Sequence, residues 1–96
     1  MQQGITLWEK NITTKLSRTQ KKEPINCIHP TAVVETKRFG HGNLICPNAV
    51  VHVDSFIGNC AIINTGSIVE HDCSIGDFSQ ISPNATLCGY VEVGEN

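Results

Sequence analysis

The sequence predicts an all-β fold, a left-handed parallel β-helix of hexapeptide units that is preceded by one short α-helix. A branched aliphatic residue stands at every sixth position of the second half of the chain: Ile45, Val51, Ile57, Ile63, Val69, Ile75, Ile81, Leu87 and Val93. The residue four positions later is small in seven of eight cases, Val91 being the exception: Ala49, Ser55, Ala61, Ser67, Cys73, Ser79 and Ala85. One large and one small inward residue per unit suits a triangular coil, whereas an amphipathic helix needs apolar spacings of three and four.

Three hexapeptide units close one coil, so residues separated by three units share a face of the triangle. The segment 28–34 resembles the segment 81–87, which places the start of the β-helix near Ile28. The spacing from Val34 to Phe39 is five rather than six, and we therefore expect a one-residue deletion in the first coil. The β-helix would have about three and a half to four coils.

The N-terminal segment has a different pattern. Ile5, Trp8, Ile12 and Leu16 form a single apolar stripe at helical spacing, which predicts one amphipathic helix over residues 5–17. A polar, basic linker then runs to Pro24. We therefore divide the chain into an N-terminal helix and linker (1–26) and a β-helix domain (27–96).

Charge and hydropathy exclude several classes of protein. The net charge of the 96-residue chain is −2, and no Lys or Arg follows Arg38, so a nucleic-acid-binding role is not expected. No apolar run is long enough to span a bilayer, and the N-terminus lacks the pattern of a signal peptide. These features predict a cytoplasmic protein without a membrane partner.

The cysteines and histidines do not form a metal or disulfide pattern. The five cysteines are odd in number and include no C-x-x-C pair, so we expect thiols in a reducing compartment. His29, His41 and His52 do not share a coil position with His71, and no H-x4-H pair occurs. A metal site is therefore not expected.

His71 is the candidate for chemistry. It stands two residues after the inward Val69, where the side chain points outward, and it lies between Glu70 and Asp72. A histidine that is oriented by a carboxylate can act as a general base. A surface histidine beside acidic residues can equally be a solvated side chain without a role.

The run from Ile63 to Phe78, INTGSIVEHDCSIGDF, resembles the catalytic coil of the hexapeptide-repeat sugar acyltransferases of the NeuD and PglD type. The resemblance extends over residues 5–96 and is most specific from Ile57 to Gly89. It implies acetyl transfer from acetyl-CoA to a sugar or a nucleotide-linked amino sugar, in a homotrimer whose donor lies between adjacent subunits. No metal takes part.

The resemblance also implies roles for individual residues. His71 matches the general base, and Asp72 matches its acidic partner. Gly89, one coil after His71, matches a glycine whose backbone lies along the acyl donor. Gln80 stands where the family commonly has a second histidine that contacts acetyl-CoA, so a hydrogen bond to the donor can remain although a proton shuttle cannot.

The chain is also shorter than the family pattern. Members of the family are about twice as long, with a Rossmann-like N-terminal domain that binds the nucleotide sugar and with further coils. The segment 1–26 resembles the remnant of that domain, so we expect a truncated or fragmentary member. The alternative is a non-catalytic β-helical fragment or assembly module that lacks the substrate domain.

Overall fold

The computed structural model describes residues 25–96, and the helix predicted over residues 5–17 lies outside the described residues. The described part is a regular succession of two-residue strands without a helix. In chain order the strands are β1 (Cys27–Ile28), β2 (Val33–Val34), β3 (Arg38–Phe39), β4 (Leu44–Ile45), β5 (Val50–Val51), β6 (Phe56–Ile57), β7 (Ile62–Ile63), β8 (Ile68–Val69), β9 (Ser74–Ile75), β10 (Gln80–Ile81), β11 (Thr86–Leu87) and β12 (Glu92–Val93).

The strands form three parallel four-stranded sheets. We call them the first face (β1-β4-β7-β10), the second face (β2-β5-β8-β11) and the third face (β3-β6-β9-β12). Each strand pairs with the strand three places earlier in the chain, so the chain coils through the three faces in turn. The predicted hexapeptide-repeat β-helix of about four coils is thus confirmed, while its left-handed sense and the domain division at residue 26 stay predictions from the sequence.

The core consists of the residues that the repeat assigns inward. The second residue of each strand points into the triangle, and Val51, Ile57, Ile63, Val69 and Ile75 are all 0% exposed. The small inward residues are buried as well, including Ala49, Ser55, Ala61 and Ser67 at 0%. The interior is therefore filled by one large and one small side chain per unit.

The deletion in the first coil also appears in the register. Cys27 pairs with Leu44 and Val33 with Val50, at offsets of 17 residues, whereas Arg38 pairs with Phe56 at an offset of 18. Thr36 lies in the shortened turn and is 4% exposed. Its hydroxyl donates to the carbonyl of Ser55 at 2.6 Å.

The turns contain one left-handed residue in each hexapeptide unit. Positive φ angles of 56–74° recur at every sixth residue: Gly42, Asn48, Asp54, Cys60, Gly66, Asp72, Phe78, Asn84, Tyr90 and Asn96. We name the turns by the face that they follow, so that the second corner lies between the second and third faces. The glycines Gly40, Gly58 and Gly76 are not the left-handed residues. They stand where a Cβ would come within 3.0 Å of the next coil.

Candidate active site

The second corner contains His71 in the turn that leaves β8. The turn is held between its two neighbouring coils by backbone hydrogen bonds. The Asp72 N–H donates to the Val53 carbonyl, and the His71 carbonyl accepts from the Tyr90 N–H, both at 3.2 Å. The side chain of His71 therefore projects from a fixed backbone.

A buried serine on the preceding coil joins the two ends of this turn. Ser55 is 0% exposed, and its Oγ donates to the Glu70 carbonyl at 2.6 Å. The same Oγ accepts from the Cys73 N–H at 3.0 Å. Because these two groups flank His71 and Asp72, the hydroxyl sets the width of the turn.

His71 and Asp72 form the pair that the sequence predicts. Nδ1 of His71 lies 3.1 Å from Oδ2 of Asp72. An ionised carboxylate only accepts hydrogen bonds, so Nδ1 carries the proton and Nε2 carries the lone pair. The two side chains are 49% and 37% exposed, so the imidazole is partly open to solvent.

The other acidic neighbour, Glu70, turns away from His71. Its Oε1 lies 3.8 Å from Nε2 of His52, and Nδ1 of His52 lies 3.3 Å from Oε1 of Glu35. Glu35, His52 and Glu70 occupy equivalent positions on successive coils and form a polar ladder of their own. Asp72 is thus the carboxylate that partners His71.

Gly89 lies directly beside the His71 ring. A Cβ added at Gly89 would stand 2.8 Å from Cε1 and 2.9 Å from Nε2 of His71. The imidazole therefore occupies the space of the missing side chain. Tyr90 bounds the ring on another side, with the ring centroids 5.4 Å apart and the planes at 89°.

Gln80 is not brought into this cluster. It is the exposed first residue of β10 on the first face, whereas His71 lies between the second and third faces. The structure therefore brings together His71, Asp72 and Gly89 and leaves Gln80 on a different side of the triangle.

Sequence reasoning missed Ser55 and Tyr90. The repeat marks Ser55 only as a small inward residue, and no sequence pattern marks Tyr90. The coil period contains the signal for both, because Tyr90 lies one coil after Asp72, and Ser55 lies one coil before Cys73.

The other ionisable groups do not make a second centre. Among residues 25–96, no group of three His, Cys, Asp or Glu side chains is arranged to hold a metal ion. Burial raises the pKa of the Cys46 thiol, which makes this side chain a poor nucleophile.

Residues 25–96 contain no helix that could span a bilayer.

The chain is similar to known acetyltransferases in sequence and in fold. No family model matches the chain. The GDP-perosamine N-acetyltransferase of Escherichia coli O157:H7 is 37% identical over 75 residues, which are 77% of this chain and 34% of the relative. The crystal structure of PerB from Caulobacter crescentus, in complex with CoA and GDP-perosamine, is 38% identical with a TM-score of 0.75, over 93% of this chain and 45% of PerB.

The chain is homologous to the hexapeptide-repeat sugar acyltransferases. A third similar structure is the acetyltransferase domain of PglB from Neisseria gonorrhoeae in complex with acetyl-CoA, at 24% identity and a TM-score of 0.63, over 91% of this chain and 51% of that domain. At this identity the PglB similarity supports the fold alone. This chain spans between a third and a half of the length of the first two relatives.

Proposed function

We propose that this chain is the β-helical part of an acetyl-CoA-dependent N-acetyltransferase that acts on an amino sugar linked to a nucleotide, with His71 as the general base. The observation that supports this most directly is the His71–Asp72 pair beside Gly89. It combines an oriented imidazole, an open Nε2 and a stretch of backbone without a side chain. The name of the Escherichia coli relative, an N-acetyltransferase, favours a nitrogen acceptor over an oxygen acceptor.

The reaction is a direct acyl transfer. The sugar amine attacks the thioester carbonyl carbon, so that a carbon–nitrogen bond forms and the carbon–sulfur bond breaks. Nε2 of His71 takes the proton that the amine loses, and Asp72 holds the ring in the tautomer that can accept it. CoA leaves as the thiolate, which takes up a proton to give the free thiol. No step requires a metal ion.

The acyl donor would lie along the backbone at Gly89, next to the His71 ring that fills the space of the missing side chain. The amide of Gln80 can donate a hydrogen bond to the same class of donor. Gln80 and His71 lie on different sides of one triangle. One donor molecule can therefore contact His71 of one subunit and Gln80 of its neighbour where two subunits meet.

This placement favours the homotrimer that the family resemblance implies. The outward strand residues of the first two faces are largely apolar, which supports burial between subunits: Val33, Leu44, Val50, Ile62 and Ile68. The outward residues of the third face are more polar, namely Arg38, Phe56, Ser74 and Glu92. We infer that the enzyme acts in the cytoplasm, where a protein with thiols such as Cys73 and Cys88 remains reduced.

The test is release of the CoA thiol by the 96-residue chain with acetyl-CoA and a GDP-linked amino sugar, read with a thiol reagent. We expect turnover that falls about 100-fold or more in His71→Ala. His29→Ala, on the corner after the first face, is the matched control and should leave turnover unchanged. A folded chain that neither turns over nor binds CoA in calorimetry would instead be the non-catalytic β-helical module.

A further inference from the structure

Tyr90 has a backbone conformation that its side chain does not favour. Its φ is 64°, in the left-handed region, where Gly, Asn and Asp are tolerated and a bulky residue is an outlier. Seven of the ten left-handed positions carry residues of these tolerated types: Gly42, Asn48, Asp54, Gly66, Asp72, Asn84 and Asn96. Tyr90 replaces an aspartate of the two preceding coils at the same corner.

Packing does not compensate for this conformation. Tyr90 is 74% exposed, so its ring gains little from burial. The contact that it does make is with the candidate base, whose ring it meets edge to face at 5.4 Å. Phe78 is likewise left-handed and exposed, so it is the contact with His71, together with the strain, that points to a role for Tyr90.

The contacts of His71 show what the Tyr90 ring can do. Asp72 fixes one ring nitrogen, and Gly89 leaves open the space that the ring occupies. An edge-to-face aromatic contact at this distance is attractive and directional, so the Tyr90 ring is a third contact that can hold the imidazole in place.

We propose that Tyr90 is a positioning residue for the acetyl transfer, which keeps the His71 imidazole in the orientation that is bonded to Asp72 and directs Nε2 toward the acceptor amine. This proposal rests on the function proposed above. It assigns the ring of Tyr90, rather than its hydroxyl, to the role, because the contact with His71 is made by the ring. The backbone strain at residue 90 is then retained for activity.

The experiment compares three variants of the 96-residue chain. Tyr90→Asn removes the ring and supplies a residue suited to the left-handed turn, so the Tm should stay or rise while kcat falls, by up to about 100-fold for a misplaced base. The KM for acetyl-CoA should change little. Tyr90→Phe keeps the ring and should retain both Tm and kcat. Cys60→Asn makes the same conformational correction on the corner after the third face and should leave kcat unchanged.

A second measurement is independent of activity. The resonances of the His71 ring protons should shift in Tyr90→Asn and remain in place in Cys60→Asn, because an adjacent aromatic ring shifts the protons that it faces. An unchanged kcat in Tyr90→Asn, or an equal loss in Tyr90→Phe, would overturn the proposal. Unaltered His71 resonances in Tyr90→Asn would do so even if the chain proved to have no transferase activity, so the two proposals can fail separately.

Discussion

The first and second corners of the β-helix share one backbone period but are built differently. At the first corner each turn closes on itself: the Ala49 N–H donates to the Cys46 carbonyl at 3.2 Å, and the Ala85 N–H to the Ser82 carbonyl at 3.1 Å. Proline precedes a left-handed asparagine in both turns, the arrangement of a type II turn. At the second corner the turn around His71 is joined instead through the hydroxyl of Ser55.

This difference indicates that the turns of the second corner are less favourable by local preference than those of the first. Prolines and asparagines make the first corner favourable by local preference. The second corner has Asp72 and Tyr90 at its left-handed positions and depends on an inserted side chain. At the second corner Tyr90 departs from good turn chemistry beside the groups that can carry out a reaction, as expected of a functional site on a regular scaffold, while Cys60 and Phe78 make the same departure at the third corner.

The largest expected effect is that of Gly89→Ala. The φ of Gly89 is outside the left-handed region, so the backbone accepts alanine, but the new Cβ would lie 2.8 Å from Cε1 of His71 and displace the ring. We expect turnover to fall about 100-fold with little change in stability. Gly94→Ala is the control, since a Cβ there meets nothing within 4 Å. Full activity of Gly89→Ala would show that the ring position does not matter.

The second prediction compares two fully buried serines. Ser55→Ala leaves the Glu70 carbonyl and the Cys73 N–H without their partner, at a cost of about 1–3 kcal/mol for each group. Ser67→Ala at the first corner removes the hydroxyl that donates to the Asn64 carbonyl. That carbonyl still accepts a hydrogen bond from the Ser67 N–H at 3.1 Å, so it is not left without a partner. We therefore expect a loss of about 1 kcal/mol or less for Ser67→Ala. Denaturant unfolding measures both, and equal losses would contradict the proposed difference between the corners.

The smallest effect concerns packing, which all corners share. Ala61 is an inward residue with 0% exposure, so Ala61→Leu should overpack the coil and lower the free energy of unfolding by about 1–3 kcal/mol. Thr65 is exposed on the first corner, and Thr65→Leu should be nearly silent. Similar losses in urea titrations of the two variants would contradict the inward and outward assignments on which the comparison rests.

The sequence was sufficient for the coil and for part of the site. The inward aliphatic residues repeat so regularly that the three faces, and the shortened first coil near Val34, follow from spacing alone. The neighbourhood of His71 and Gly89 follows from the same period. Spacing could not reveal that Glu70 pairs with His52, because the direction of a long side chain depends on its neighbours on both coils. It also could not reveal the hydroxyl bridge of Ser55, because serine and alanine are equivalent in the pattern.

The most direct test of the central claim is the rate at which the chain forms an N-acetylated sugar, measured by mass spectrometry of the product for the wild type and for His71→Gln. Glutamine keeps a polar side chain of similar reach but cannot take up the amine proton. We expect His71→Gln to bind CoA as the wild type does and to form product at least about 100-fold more slowly. Product formation at the wild-type rate would contradict the assignment of His71 as the base.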